Sequence, residues 1–322
     1  MKDAALEIEK HPLIAIGEQK DAQYQLVVDA LRGQGRSVTA IDIHSPENFA
    51  VTISRSGEAA FWLSDKRVEP ALFWYRLKFL DLPLKSILSR DFDGVRRTEW
   101  LAFVTGVSLI LQDRLAHSES FVPSASKLCQ LVLAGASGFS TPATVAGIGR
   151  TAAEAFARQH SSVIIKGLYA TNMLRASDPD ELDALITTEL SLEELLAADD
   201  DEFRACPYFL QERLDNSNEH RVIAFGENVF CYRLVDPPGL TPFVDRRIMK
   251  PKFELVPTPD TLPALIREFF VRSGLRYGAF DLIFQPNAIV FLECNPEGQW
   301  HSANDVNLPE VVERFATWMQ TL

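Results

Sequence analysis

The first forty residues alternate between continuous apolar runs and a helical repeat. Residues 13–17 are apolar throughout, which is typical of a buried strand. Residues 21–33 place apolar side chains at helical spacing and end in glycine, and residues 37–43 form a second, β-branched run. The pattern therefore predicts a βαβ unit with two parallel strands.

The next stretch predicts a hairpin over residues 51–68, a strand over 71–79 and a long helix over 91–115. Arg76 and Lys78 fall on the polar side of that strand. They are either exposed charges at a strand edge or contacts to an acidic ligand. The turn Gly17-Glu18-Gln19-Lys20 lacks the glycine pattern of a dinucleotide-binding loop, so a dinucleotide site is not predicted there.

The second half of the chain mixes short helices with strands. Helices are predicted over 127–135, 151–160, 262–274 and 308–322, and acidic helical material over 181–198 is interrupted near Thr187-Thr188. Strands are predicted over 162–166, 208–214, 219–225 and 229–234. The strand at 162–166 ends in Lys166, which either reaches solvent or holds a phosphate.

The richest polar pattern lies in a predicted hairpin over residues 280–295. Asp281 interrupts its first apolar strand, and Glu293 and Asn295 interrupt the second. Glu293 and Asn295 are two apart and share a face. A three-residue loop over 285–287, with Asn287 tolerating a left-handed conformation, would pair Asp281 with Phe291 and place it on that face. An even loop would turn Asp281 away.

Two interpretations of this hairpin stand side by side. It is either an ordinary amphipathic hairpin with its polar edge in water, or a site for a hard cation. Carboxylates within an apolar strand need a partner or a metal. Oxygen ligands suit Mg²⁺ or Mn²⁺, particularly when phosphates supply the remaining ligands.

Length and charge limit the alternatives. A chain of 322 residues is long for one core and predicts two or three domains. The net charge of −12 comes largely from residues 178–202, which contain eleven Asp or Glu and no Lys or Arg. This segment is either a solvated face or a docking surface for a basic partner. No basic tract indicates nucleic acid.

Cysteine spacing and hydropathy indicate a cytoplasmic protein. The four cysteines are scattered singly, which argues for a reducing compartment and against structural zinc. The first ten residues have no apolar core, so no signal peptide is predicted. The longest apolar run, residues 101–111, is too short to span a bilayer.

The order of these features resembles the ATP-grasp ligases, within the branch of ribosomal-protein glutamate ligases and graspetide (microviridin-type) peptide macrocyclases. The resemblance is carried by Lys127, Gly138-Phe-Ser-Thr-Pro142, Val163-Ile-Ile-Lys166, Gln211-Glu212, Glu219-His-Arg221, Asp245-Arg-Arg247, Asp281 and Phe291-Leu-Glu-Cys-Asn-Pro-Glu-Gly-Gln-Trp300. It covers residues 70–322 and is strongest over 208–300.

The resemblance implies an α+β (α/β) ATP-grasp fold with an N-terminal pre-ATP-grasp βαβ domain (1–120), a central subdomain (121–205) and a C-terminal subdomain with the metal site (206–322). It implies ATP and Mg²⁺ (or Mn²⁺) as cofactors. The implied nucleotide-binding residues are Lys127, Lys166, Gln211, Glu212, Leu214 and Glu219; the implied metal ligands are Asp281, Glu293 and Asn295; the implied catalytic residues are Arg221 and Arg247.

The implied activity is an ATP-dependent ligase that acts through an acyl phosphate and crosslinks side chains of a precursor peptide by ester or amide bonds. The alternatives are an amino-acid ligase that extends a peptide or protein terminus, and a non-catalytic synapsin-like ATP-binding module. The chain departs from the family pattern at Ala146-Gly147 and at Arg246, which leaves the acceptor open. Neither nucleic acid nor membrane is an expected partner, and a homodimer is left open.

Overall fold

The computed structural model describes residues 9–10, 13–43, 49–64, 66–77, 93–116, 126–160, 162–168, 187–215, 217–236, 252–296, 298, 300 and 308–322. Within them it is an α+β protein with four sheets, which confirms the predicted fold class.

The N-terminal part contains a parallel three-stranded sheet and a smaller mixed sheet. Its elements are β1 (Glu9–Lys10), β2 (Leu13–Gly17), α1 (Ala22–Gly33), β3 (Val38–Asp42), β4 (Phe49–Ile53), β5 (Ala59–Leu63), β6 (Lys66–Glu69), β7 (Leu72–Tyr75) and α2 (Asp93–Ile110). The parallel order is β3-β2-β7 and the mixed order is β1-β6-β5-β4. The predicted βαβ unit is confirmed, and the predicted hairpin has β6 as an additional strand.

The central part is a four-stranded sheet flanked by helices. Its elements are α3 (Lys127–Ala136), β8 (Thr144–Gly147), α4 (Arg150–Ala157), β9 (Val163–Ile165), β10 (Thr188–Leu190), α5 (Leu192–Ala197), α6 (Glu202–Ala205) and β11 (Tyr208–Glu212). The order is β10-β9-β11-β8. The predicted helical segment over 181–198 is interrupted near Thr188, as the sequence indicated, because residues 188–190 pair with β9 as an edge strand. Residues 181–186 lie outside the described residues.

The C-terminal part is a five-stranded antiparallel sheet with one helix on each side. Its elements are β12 (Glu219–Phe225), β13 (Asn228–Val235), β14 (Lys252–Val256), α7 (Leu262–Ser273), β15 (Tyr277–Gln285), β16 (Ala288–Asn295) and α8 (Leu308–Met319). The order is β14-β13-β12-β15-β16. Strand β14 was not predicted from the sequence.

Two buried clusters cover the two faces of this sheet. On one face, Phe225 and Tyr277 join a core with α1, β2 and Phe315 of α8. On the other face, Val222 and Phe280 pack with α3 and α7. The sheet is therefore held between the N-terminal βαβ unit and the central helix α3, and the two ends of the chain share one core.

The prediction that Arg76 is an exposed strand-edge charge is wrong. Arg76 directly follows β7, and its side chain is 1% exposed. Its Nε lies 2.6 Å from Asp21 Oδ2. Asp21 also caps α1 by accepting hydrogen bonds from the backbone of Gln23 and Tyr24. The charge is buried because a carboxylate at the start of α1 lies beside it. Lys78 is outside the described residues.

Candidate active site

Three charged side chains form a row across adjacent strands of the five-stranded sheet. Arg221 on β12 lies opposite Asp281 on β15, and Asp281 lies opposite Glu293 on β16. Residues directly opposite in an antiparallel pair project from the same face. Arg221 Nη1 donates to Asp281 Oδ1 at 2.6 Å. The row is on the face that leads toward the N-terminal unit.

The turn between β15 and β16 differs from the predicted one. Gln285 pairs with Ala288, so the loop has two residues, and Asn287 is not in a left-handed conformation. An even loop alone would place Asp281 opposite Leu292 and away from Glu293. However, the register shifts between Asp281 and Leu282, at a β-bulge. The bulge, rather than the loop, brings Asp281 opposite Glu293. The prediction that Asp281 shares a face with Glu293 is therefore confirmed, and the prediction that a three-residue loop places it there is wrong.

The same bulge determines which side chains of β16 face the core and which face the row of charges. Phe291 and Cys294, three residues apart, both pack into the core beside α3 and α7. Glu293 therefore projects to the opposite face. Asn295 shares that face by its two-residue spacing, although its side chain is exposed. Without the extra residue, the alternation that buries Phe291 would direct Glu293 into the core.

Within the row, two carboxylates lie beside one guanidinium. Burial raises the pKa of Asp281, Arg221 acts in the opposite direction, and the neighbouring Glu293 carboxylate adds to the increase. Burial opposes the charge of Arg221, but attraction to Asp281 outweighs it and raises the pKa of Arg221. A cation next to the two carboxylates would relieve their repulsion.

Both predicted lysines reach this row. Lys127, the first residue of α3, places its Nζ 3.7 Å from Glu293 Oε2 and donates to the Gly167 carbonyl at 2.9 Å. Lys166 follows β9, and burial lowers its pKa; Glu293, Glu219 and Asp281 act in the opposite direction. Helix α3 and strand β9 thus bring two ammonium groups, distant in sequence, to one group of carboxylates.

The predicted adenine and ribose residues lie at the neighbouring strand ends. Gln211 on β11 is 1% exposed, and its Nε2 donates to Thr144 Oγ1 at 3.0 Å. Its Oε1 is buried and has no hydrogen-bond partner in the part of the chain that the structure describes. Such an acceptor costs free energy unless a ligand supplies a donor. This observation favours Gln211 as a ligand contact.

The other residues of this group have contacts within the protein. The Glu212 carboxylate accepts from the Ala143 backbone at 2.8 Å and lies 3.9 Å from His160. The Leu214 carbonyl accepts from Arg213. Glu219 opens β12 and contributes to the electrostatics of Lys166. Arg247, the second predicted catalytic arginine, lies outside the described residues.

A further polar residue, Gln130, supports β16 and was not predicted. Its Nε2 donates to the Cys294 carbonyl at 2.7 Å, and its Oε1 accepts from the Cys294 backbone N–H at 2.9 Å. Gln130 lies one helical turn after Lys127 and is 4% exposed. A polar residue on the buried face of α3 is the sequence signal that identifies it. It ties the strand that carries Glu293 to the helix that carries Lys127.

The donor set fits a hard divalent cation. Asp281 and Glu293 are adjacent carboxylates, Asn295 adds an amide oxygen on the same face, and all of these are oxygen ligands. No group of three or more His, Cys, Asp or Glu residues capable of holding a metal occurs among the described residues. The site therefore suits a cation such as Mg²⁺ whose remaining ligands come from phosphate or water.

The fold is similar to solved structures over nearly its whole length. One is the Chryseobacterium gregarium RiPP-associated ATP-grasp ligase in complex with ADP and a leader and core peptide (TM-score 0.78, 18% identity, 97% of each chain covered). Another is the macrocyclase MdnC from Microcystis aeruginosa MRC, bound with precursor peptide MdnA (TM-score 0.72, 20% identity, 96% of this chain and 99% of that chain). The chain has the ATP-grasp fold.

A third similar structure is the ATP-grasp ligase PsnB, complexed with a phosphomimetic variant of its minimal precursor, Mg and ADP (TM-score 0.68, 19% identity, 97% of this chain and 98% of that chain). No family model matches the sequence, and no curated protein matches it. The resemblance seen in the sequence is thus confirmed by the fold. Within the described residues, the helices are all too short or too polar to cross a membrane.

Proposed function

We propose that this protein is an ATP-dependent ligase that forms ester or amide crosslinks between side chains of a ribosomally made precursor peptide. The observation that carries the proposal is the row of Arg221, Asp281 and Glu293 with Lys127 and Lys166 beside it. It combines oxygen ligands for a divalent cation with ammonium and guanidinium groups for phosphate, on an ATP-grasp fold.

The charges support phosphoryl transfer to a carboxylate. Lys127 and Lys166 would bind ATP phosphates, and Asp281, Glu293 and Asn295 would hold Mg²⁺, which supplies charge neutralisation for the phosphates. Gln211, Glu212, Leu214 and Glu219 would hold the nucleoside. Arg221, and Arg247 outside the described residues, would donate hydrogen bonds to the phosphoryl oxygens as charge develops on them.

The proposed reaction has two steps. A substrate carboxylate oxygen attacks the γ-phosphorus of ATP, the bond to the ADP oxygen breaks, and an acyl phosphate forms. A hydroxyl or amine then attacks the acyl carbon, loses its proton and releases phosphate. Each bond formed therefore consumes one ATP, releases ADP and phosphate, and removes the elements of one water from the peptide.

The peptide substrate is inferred from the structural neighbours, which are bound to precursor, leader or core peptides. The test is to incubate the protein with ATP, Mg²⁺ and the short peptide encoded beside its gene, and to follow ADP release and peptide mass. Loss of one water per ADP supports crosslinking. A gain of an amino-acid mass indicates terminal extension instead, and nucleotide binding without turnover of any acceptor indicates a non-catalytic ATP-binding module.

Matched variants on one sheet test the site itself. Replacing an outer partner of a metal ligand typically lowers metal affinity about 10–100-fold, so Glu293→Gln should lower turnover by at least about 100-fold. Glu254→Gln is the control, because Glu254 lies on β14 of the same sheet and pairs with Arg233 at the surface. Equal activity of the two variants would contradict the assignment of Glu293.

A further inference from the structure

The backbone that follows the candidate metal ligands is held by the N-terminal unit. The Gly298 N–H donates to the Asn295 carbonyl at 3.1 Å, which ties Gly298 to the end of β16. The Gly298 carbonyl accepts from Arg76 Nη1, Gln23 Nε2 and the Tyr277 hydroxyl, each at 3.4 Å. Two of these three donors belong to the βαβ unit, more than two hundred residues away in sequence.

Gln23 holds this segment at a second point. Its Oε1 accepts from the Trp300 backbone N–H at 3.0 Å, so one amide spans Gly298 and Trp300. Gln23 and Arg76 are each 1% exposed. Arg76 is in turn fixed by Asp21 at 2.6 Å. Hydrogen bonds among buried groups with several partners hold their backbone in one place.

Gly298 also lies against the candidate catalytic row. A Cβ at this position would come within 2.3 Å of Ala279 Cβ and 3.4 Å of Arg221 Nη2. Ala279 pairs with Asn295 across β15 and β16. Gly298 is therefore packed onto the sheet beside Arg221 with no room for a side chain, and a shift of Gly298 would move the backbone at Asn295.

We infer that Gln23 and Arg76 are positioning residues for the candidate metal site: they hold the Gly298 carbonyl and the Trp300 N–H, and so fix the end of β16, which carries Asn295 next to Glu293. The inference rests on the proposed function. The βαβ unit, which supplies no predicted metal ligand, thereby sets the geometry of the ligand strand. Loss of these hydrogen bonds to Gly298 and Trp300 is expected to weaken cation binding.

The test is Mn²⁺ binding to the full chain in the presence of ADP, measured by electron paramagnetic resonance of free Mn²⁺. Gln23→Met keeps the length of the side chain and removes both hydrogen bonds. We expect its Mn²⁺ affinity to fall about tenfold, the effect of losing a partner behind a metal ligand. Gln25→Met is the matched control, since Gln25 lies on the same helix and its amide donates to the exposed Asp29 side chain.

Tyr277→Phe provides a second variant that keeps the ring and its packing on Trp300 and removes one donor to Gly298. We expect a smaller loss of Mn²⁺ affinity, in the same direction, with a thermal midpoint close to that of the wild type. Wild-type Mn²⁺ affinity in both variants would overturn the inference and leave these contacts a structural role only.

Different results would overturn the proposed function and the positioning role of Gln23 and Arg76. Wild-type protein that binds neither ADP nor Mn²⁺ would overturn the proposed function, and with it this inference. Wild-type protein that binds both, with Gln23→Met and Tyr277→Phe indistinguishable from Gln25→Met, would overturn the inference alone.

Discussion

Two arginine–aspartate pairs in this protein have the same length and different surroundings. Arg76 and Asp21 lie 2.6 Å apart with both side chains 2% exposed. Arg221 and Asp281 also lie 2.6 Å apart, with side chains 19% and 22% exposed. The first pair is enclosed between α1, β7 and the backbone of Gly298. The second lies beside Glu293 and two lysines.

The difference distinguishes an ion pair that stabilises the fold from an ion pair at a candidate ligand-binding site. At Asp21, Oδ1 accepts from the backbone at the start of α1, and Oδ2 forms an ion pair with Arg76 at 2.6 Å, so each carboxylate oxygen faces a donor or a positive charge of the protein. Burial raises the pKa of Asp281, and the neighbouring Glu293 carboxylate, which also attracts Arg221, raises that pKa further. A charge left only partly compensated by the protein is where an ionic ligand gains most.

The largest effect that separates the two pairs is on stability. Asp21→Asn keeps the helix cap and leaves the Arg76 charge buried without its partner, so it should lower the free energy of unfolding by about 3–5 kcal/mol. Urea unfolding of the apoprotein measures this change. Glu254→Gln, at the exposed Arg233 pair, should unfold close to the wild type. An unchanged midpoint for Asp21→Asn would show that the buried pair does not stabilise the fold.

The next effect concerns catalysis at the second pair. Arg221→Lys keeps a positive charge and loses the planar guanidinium, so kcat should fall about 100-fold while ADP affinity changes little. Arg233→Lys on the adjacent strand is the control, because Arg233 pairs only at the surface. Turnover with ATP and peptide measures kcat, and a separate ADP titration measures ADP affinity. A variant that loses ADP affinity and keeps kcat would place Arg221 in ground-state binding instead.

The smallest effect concerns the charge beside the row. Burial lowers the pKa of Lys166 below its ordinary value, so the unfolded chain binds more protons than the folded one between the two pKa values. The contribution of Lys166 to stability therefore increases with pH across that window. Lys166→Met should raise the thermal midpoint at neutral pH, by an amount that shrinks toward alkaline pH, while ADP affinity falls about tenfold.

Lys252→Met serves as the control for Lys166, since Lys252 is exposed on β14. The measurement is the thermal midpoint of each apoprotein at a series of pH values, with a separate ADP titration. If Lys166→Met is less stable than the wild type at neutral pH, the Lys166 ammonium stabilises the fold by pairing with the carboxylates. The charges around Arg221 and Asp281 would then stabilise the fold, as the Arg76–Asp21 pair does.

The sequence by itself determined the elements whose pattern is local. The apolar run of β2, the helical repeat of α1 and the alternation of β12 all appear close to their predicted bounds. The family resemblance, carried by a series of motifs from Lys127 to Trp300, was also sufficient to predict the ATP-grasp fold. Such features follow from side-chain periodicity within one element, or from motif order along the chain, and neither requires knowledge of contacts.

Only the tertiary structure decided the register of β16 and the place of Arg76. The bulge before Glu293 depends on which side chains α3 and α7 bury, since Phe291 and Cys294 both enter that core. Arg76 looked like an edge charge because its partner, Asp21, lies beyond an intervening hairpin in sequence. Both depend on packing between segments that are distant in sequence. The register of a strand is set by which of its faces is buried, and a charge can be buried only where a partner lies beside it.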